Sequence, residues 1–290
     1  MGRAWRDTPA WSVVDRVEVA LGERVSDLVL DAPAGQLART RDAQLAVLLT
    51  SLVAWEAVRD RVPTTVAFAG HSLGQVTALI AAGALPLEEG VRFAARRAEL
   101  TQAAANDHPG QMAALLGATP EQARAACAAA PHACWVANDN APGQIVIAGT
   151  PDGLAAASAA AKEEGVKRVA PLNVGGAFHT PLMASAADAL AGELAAVPFH
   201  SPRAPVVSNL DAEPYADADA WRARSAEHVT VTVRWRESMT AIAGLGAATC
   251  LEVGHGTMLA GLAKRTVPAV AVRGVATPEA AAALALEDAR

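Results

Sequence analysis

T-V-A-F-A-G-H-S-L-G-Q-V-T-A-L-I-A-A-G-A-L, residues 65–85, decides the fold. Its apolar, partly β-branched start, Val66 to Ala69, predicts a short buried strand. The Ala- and Leu-rich continuation predicts a buried helix from about Leu73 to Ala82. Between them stands Gly70-His71-Ser72-Leu73-Gly74, a G-x-S-x-G motif. A strand before it and a helix after it are the context in which this motif forms a nucleophile elbow. Ser72 is then an exposed nucleophile on a strained turn, and the helix N-terminus aims at it. The Leu73 N–H is the expected oxyanion donor. Both flanking glycines are expected because side chains there would collide with backbone.

Outward from the elbow, Asp42 to Arg59 predicts a long helix, with Leu45, Leu48, Leu49, Leu52, Val53 and Trp55 largely on one side. Asp42 is its expected N-cap or first-turn acid, and Pro63 ends the connection into the elbow strand. Residues 10–21 carry Val13, Val14, Val17 and Leu21 at helical spacing. Residues 87–105 predict another helix, on which Leu87, Val91, Ala94, Ala95 and Ala98 share a face. Periodicity alone makes Arg97 a solvated surface arginine.

Past Asn106-Asp107-His108-Pro109-Gly110 the pattern becomes compact. Met112–Leu116 predicts a strand, and Thr119-Pro120-Glu121-Gln122 opens a helix. Cys134–Ala137 and Gln144–Ala148 predict strands joined by Asn138–Gly143. Thr150-Pro151 opens a second helix, and Lys167–Leu172 predicts a fourth strand. The order βαββαβ is ferredoxin-like, so residues 109–174 are expected to be a small subdomain inserted into a larger one made of 1–108 and 175–290. The larger part continues with a helix over about 182–196 and strands at Pro205–Ser208, Thr249–Val253 and Ala269–Val272. Helices follow the last two strands. This alternation predicts an α/β domain with a parallel sheet.

Composition excludes several function classes. The 290-residue chain is 52% hydrophobic with a net charge of −6 and no basic stripe, which argues against a nucleic-acid partner. The three cysteines show no C-x-x-C spacing, so neither a disulfide framework nor a metal site is expected. The longest apolar run is too short to span a bilayer, and the N-terminus lacks a signal-peptide apolar region. A cytoplasmic protein that makes no use of membrane is therefore expected.

A serine nucleophile needs a base. Of seven histidines, His108, His132, His200 and His228 read as surface residues. His71 adjoins the nucleophile. His255 lies in a Gly-flanked turn at a strand end. His179 lies in a G-G-A-F-H-T-P loop entering a helix. Order and context favour His179, with His255 the alternative. No acidic third member is evident, so a Ser–His dyad oriented by backbone carbonyls is as good an expectation as a triad.

G-H-S-L-G-Q, G-A-F-H-T-P-L-M, A-N-D-N-A-P-G-Q-I-V-I-A-G, V-V-S-N-L-D-A and L-E-V-G-H-G-T-M-L together resemble the malonyl-CoA:acyl carrier protein transacylases, from about residue 35 to 273. The resemblance implies an α/β-hydrolase-like large subdomain with a ferredoxin-like insertion. It implies a malonyl ester on Ser72, with His179 as base. Arg97, in R-R-A-E-L-T-Q, would hold the malonyl carboxylate, which reverses the surface reading. His71, Gln75, Asn140, Gln144 and Phe178 would line the site. The implied partners are malonyl-CoA and an acyl carrier protein, with no resident cofactor or metal and a monomeric state. The family begins with a strand and a G-Q-G-S-Q loop that supplies a second oxyanion donor. This sequence starts at Met1-Gly2-Arg3, so the resemblance implies that this donor lies outside it. Thr101 stands where methionine is frequent, and His255 where proline is usual. Two alternatives follow: a serine esterase or thioesterase on the same scaffold, in which Arg97 has no role, or a shortened, impaired carrier-docking protein.

Overall fold

A computed structural model gives the fold and describes residues 1–37, 39–62 and 64–287. Pro63, expected to end the connection into the elbow, lies outside the described residues.

The N-terminal part is helical: α1 (Ser12–Leu21), α2 (Ser26–Leu30), the single turn α3 (Ala34–Leu37) and α4 (Thr40–Val58). Two further helices, α5 (Gly74–Ala81) and α6 (Leu87–Asp107), pack on α4. The leucines of α4 face the core at helical spacing. Ala46, Ala54 and Val58 are also buried, so the helix is enclosed on most sides. Asp42 is in its first turn and not at the N-cap, which is Arg39. The Asp42 carboxylate pairs with the Arg39 guanidinium at 3.0 Å.

The small subdomain runs β1 (Gln111–Leu116), α7 (Pro120–Ala128), β2 (Cys134–Ala141), β3 (Gln144–Gly149), α8 (Pro151–Glu163) and β4 (Arg168–Pro171). Its antiparallel sheet has the order β2-β3-β1-β4, the ferredoxin-like arrangement. Strand side chains alternate between faces. Ala113, Leu115, Ile145 and Ile147 therefore meet α7 and α8, while Met112, Ala114, Val146 and Ala148 meet Ala177 of the large subdomain. Both faces are apolar because both are covered. The capping box at Thr119 and Gln122 forms as the sequence predicts, with Thr119 N–H donating to Gln122 Oε1 at 2.9 Å.

One connection is shorter than expected. β2 extends through Asn138-Asp139-Asn140 to Ala141, leaving only Pro142-Gly143 as the turn. Polar composition reads as loop, but here those residues find partners across the subdomain seam. Asp139 N–H donates to Val233 O at 2.9 Å, and Arg236 grips the Asp139 carboxylate through Nε and Nη2. The strand bulges twice to make these bonds.

The chain returns through α9 (Ala184–Leu194), the short antiparallel pair β5 (Val206–Val207) and β6 (Pro214–Tyr215), α10 (Ala218–Glu227) and α11 (Trp235–Gly244). It ends with β7 (Thr249–Val253), α12 (Met258–Thr266), β8 (Ala271–Val275) and α13 (Pro278–Glu287). β7 and β8 pair in parallel. The elbow strand expected at Val66–Ala69 is reduced to one parallel bridge, Phe68 to Val206. Phe68 N–H donates to Pro205 O and Phe68 O accepts from Val207 N–H, each at 2.8 Å. Among the described residues this pairing is on one side only, which holds the segment extended without building a ladder. α10 and α11 have no counterpart in the periodicity reading. The architecture is α/β, a large subdomain with parallel pairing and a small ferredoxin-like one.

Candidate active site

The elbow forms between Phe68 and α5. Ser72 has φ +53°, a left-handed conformation that costs an L-residue about 1–2 kcal/mol. The turn is tight at one glycine only. A Cβ on Gly70 would lie 1.8 Å from Gly74 O, whereas one on Gly74 would meet nothing within 4 Å. The expected need for both glycines is thus corrected to Gly70 alone: the strand end faces the helix backbone, and the first helical residue faces open space.

Ser72 Oγ lies 2.7 Å from His179 Nε2. His179 also has a positive φ, +61°. Its backbone N–H donates to Val229 O at 3.1 Å and its Nδ1 lies 3.1 Å from His228 O. A carbonyl can only accept, so Nδ1 carries the proton and Nε2 presents its lone pair to the serine. The orienting group is a backbone carbonyl, and among the described residues no carboxylate bonds the imidazole. His255, the alternative base, is exposed in its glycine turn. His228, read from the sequence as a surface residue, is buried because its segment clamps His179.

Arg97 is also buried, 5% exposed. The surface position read from periodicity is therefore wrong: α6 is covered on this side by α4. One guanidinium nitrogen, Nη2, donates to Ser72 Oγ at 3.2 Å, and Nη1 donates to Gln44 Oε1. Thr101 Oγ1 donates to Arg97 O at 2.8 Å and lies 3.5 Å from Gln44 Nε2. No carboxylate pairs with Arg97 among the hydrogen bonds and ion pairs of the described residues. Burial lowers the Arg97 pKa to about 10, so the group stays charged at neutral pH. A buried cation with no counter-ion among the described residues has the chemistry to receive an anion.

Burial holds His179 at about 3, with the nearby charges of Arg97 and His71 acting in the same direction. The imidazole is therefore neutral at pH 7. Burial likewise lowers His71 and His228. The Leu73 N–H has no acceptor among the described residues and follows Ser72 directly, at the N-cap of α5.

The other expected site residues divide. His71 Nε2 bonds Asn140 Oδ1 at 2.7 Å, and its ring meets Trp235 edge-on at 5.5 Å, tying the elbow to β2 and α11. Phe178 packs between the large core and the inner face of the small sheet. Gln75 is buried and accepts from Asn209 N–H at 2.9 Å; it holds the loop after β5 and does not join the Ser72–His179–Arg97 group. Gln144 departs furthest. It begins β3 and accepts from Arg265 on α12, an exposed pair with no link to Ser72.

Residues 4–284 match the acyl transferase domain family. The chain belongs to this acyl transferase family. Over 269 residues it is 37% identical to the malonyl CoA-acyl carrier protein transacylase of Escherichia coli K12, covering 91% of this chain and 86% of that one. The acyl-carrier-protein S-malonyltransferase of Burkholderia pseudomallei superposes with a TM-score of 0.92 at 35% identity, over 97% of this chain and 93% of that one. A malonyl-transacylase solved in complex with a type II PKS acyl-carrier protein gives a TM-score of 0.91 at 32% identity, over 96% and 91%. Among the described residues of this acyl transferase, no helix is long and apolar enough to cross a membrane, and no cluster of three His, Cys, Asp or Glu could hold a metal.

Sequence reasoning missed Gln44, Asn209 and the true setting of His228. Asn209 lies within V-V-S-N-L-D-A, a stretch that carried the family likeness but assigned it no role. Gln44 gave no signal beyond being one of several polar residues on α4.

Proposed function

We infer that this acyl transferase moves a malonyl group from malonyl-CoA to the phosphopantetheine thiol of an acyl carrier protein, through an ester on Ser72. The observation that carries the reading is Arg97: a buried guanidinium, charged at neutral pH, donating to the nucleophile at 3.2 Å. A malonyl thioester has its free carboxylate two carbons from the carbonyl under attack. An arginine fork touching the nucleophile is therefore at the distance that carboxylate needs. An esterase acting on neutral acyl groups has no use for it.

Ser72 Oγ attacks the thioester carbonyl as its proton passes to His179 Nε2. The Leu73 N–H is positioned to receive the oxyanion. When the tetrahedral species collapses, the C–S bond breaks and His179 returns the proton to the departing CoA sulfur. In the second half the carrier thiol gives its proton to His179 and attacks the Ser72 ester, and Ser72 leaves with that proton. The His228 carbonyl holds the Nδ1 proton throughout. Arg97 is one cause of the low His179 basicity. A carboxylate seated on Arg97 offsets that charge, so the base strengthens once the correct substrate is bound.

Transfer is tested by following radiolabelled malonyl from malonyl-CoA to a holo acyl carrier protein. Label on the carrier that needs both Ser72 and the carrier's phosphopantetheine supports the reading. Release of free malonate at the same rate with or without carrier would favour the hydrolase instead. The family likeness also suggests a cytoplasmic monomer, which light scattering of the purified chain would check.

A further inference from the structure

Asn209 lies in the loop between β5 and β6, with no exposed surface. Its side-chain oxygen faces two donors. Ser72 N–H donates to Oδ1 at 2.8 Å, and His228 Nε2 lies 3.2 Å from the same atom. A backbone N–H can only donate, so the atom facing Ser72 is oxygen, and His228 must then carry its proton on Nε2. His228 in turn accepts His179 Nδ1–H on its carbonyl, and His179 Nε2 meets Ser72 Oγ. The four residues thus form a closed ring, Ser72–Asn209–His228–His179. Asn209 is itself anchored by two backbone bonds: its N–H donates to Gln75 Oε1 at 2.9 Å, and its O accepts from Arg234 N–H at 2.9 Å.

We propose that Asn209 is a positioning residue for acyl transfer, setting the nucleophile and its base together through a single oxygen atom. Both catalytic residues stand in left-handed backbone conformations, Ser72 at φ +53° and His179 at φ +61°. Such conformations persist only where surrounding contacts over-determine them. The Asn209 bond holds the strained Ser72 N–H on one side. The His228 imidazole, held by the same oxygen, fixes the carbonyl that orients His179 on the other. Loss of that oxygen frees both halves of the pair, and a displacement of about 1 Å between reacting groups is enough to lower a rate about 10²-fold. Asn209 has no exposed surface and reaches Ser72 only through the backbone N–H, so its loss is expected to slow acylation without weakening substrate binding.

The proposal rests on the Ser72–His179 acyl-enzyme. The test therefore uses two acyl donors, malonyl-CoA and p-nitrophenyl acetate, with acylation of Ser72 followed in a single turnover. Asn209→Leu is expected to lower the acylation rate roughly 10- to 100-fold with both donors, with the half-saturating malonyl-CoA concentration unchanged. His228→Leu, which keeps the orienting carbonyl but loses the Nε2 donor, is expected to fall in the same direction. His228→Gln, which keeps a donor for Asn209, is expected to recover the rate. The double Leu variant is expected to be no slower than Asn209→Leu, since both cut one ring. Independent, multiplicative losses, or equal rates for His228→Leu and His228→Gln, would overturn the proposal, and the His228 pair decides it even where Asn209→Leu does not fold. The ring pattern with the ester alone, and no reaction of the parent with malonyl-CoA, would refute the malonyl reading and leave the positioning role standing. A parent inert to both donors would refute both.

Discussion

Replacing Arg97 with methionine separates a substrate-binding arginine from a structural one. Methionine keeps much of the length and packing and removes the charge. Two charge-assisted hydrogen bonds to a malonyl carboxylate are worth about 1.5–3 kcal/mol each. Their loss should lower kcat/KM for malonyl-CoA by about 10²–10⁴-fold at 1.4 kcal/mol per factor of ten. Acetyl-CoA, which has no carboxylate, should lose far less, only what the Arg97 bond to Ser72 and its charge near His179 contribute to both donors, so the preference for malonyl collapses. Stability should change little. The fall of the Arg97 pKa from the usual 12.5 to about 10 corresponds to about 3 kcal/mol of unfavourable burial, at about 1.4 kcal/mol per pH unit. The guanidinium is charged in both folded and unfolded chains at neutral pH, so this cost is present across the neutral range. Removing it is offset by the lost bonds to Gln44 and Ser72, about 3 kcal/mol together for two bonds from a charged donor. The melting temperature should therefore stay within a few degrees of the parent's, at roughly 2–4 °C per kcal/mol. Steady-state kinetics with both thioesters and a thermal melt make the comparison. Equal losses with malonyl- and acetyl-CoA, accompanied by a lower melting temperature, would show that Arg97 serves the fold and not the carboxylate.

Gln44→Leu should leave one Arg97 N–H without an acceptor, costing about 1–3 kcal/mol. The expected result is a roughly 5- to 100-fold lower malonyl-CoA kcat/KM with acetyl-CoA unaffected; parallel losses for both would refute it. The two elbow glycines should respond oppositely. Gly70→Ala places a Cβ 1.8 Å from Gly74 O and should destabilise by more than about 3 kcal/mol or prevent folding. Gly74→Ala meets open space and should be neutral or stabilising by up to about 1 kcal/mol in urea melts. Acid should weaken the fold through His71, His179 and His228, whose pKa values are all lowered by burial. Below the usual 6.5 the unfolded chain takes up protons that the folded chain refuses, down to about 3 for His179. Stability is then full above pH 6.5 and falls by up to about 1.4 kcal/mol per pH unit for each imidazole below it. Urea midpoints that do not change between pH 7 and pH 5 would contradict this.

Much of this was legible because it is local. The capping box at Thr119 and the βαββαβ order depend on neighbours a few residues apart, and periodicity reports such neighbours. The elbow was legible as a motif, although its strand shrank to the Phe68–Val206 bridge. The rest depends on contacts that no window spans. Arg97 looked solvent-facing because a helix pattern cannot say which second helix covers it. Asn138-Asp139-Asn140 read as a loop because the partner that satisfies Asp139 is Arg236, 97 positions away. His228 and Asn209 gave no sign of their setting because the bond from Ser72 to Asn209 crosses 137 positions. Gln75 and Gln144 show the reverse. Motif likeness assigned them to the site wall, but their bonds hold a loop and a surface pair.

A malonyl group taken by Ser72 and held by Arg97 would add a fixed mass to the chain. The most direct measurement is the intact mass of the chain after brief mixing with malonyl-CoA, beside Ser72→Ala and Arg97→Met. The parent should gain the mass of one malonyl group and Ser72→Ala none, while Arg97→Met should label slowly and incompletely. An unlabelled parent that is folded, or a label that survives in Ser72→Ala, would contradict this.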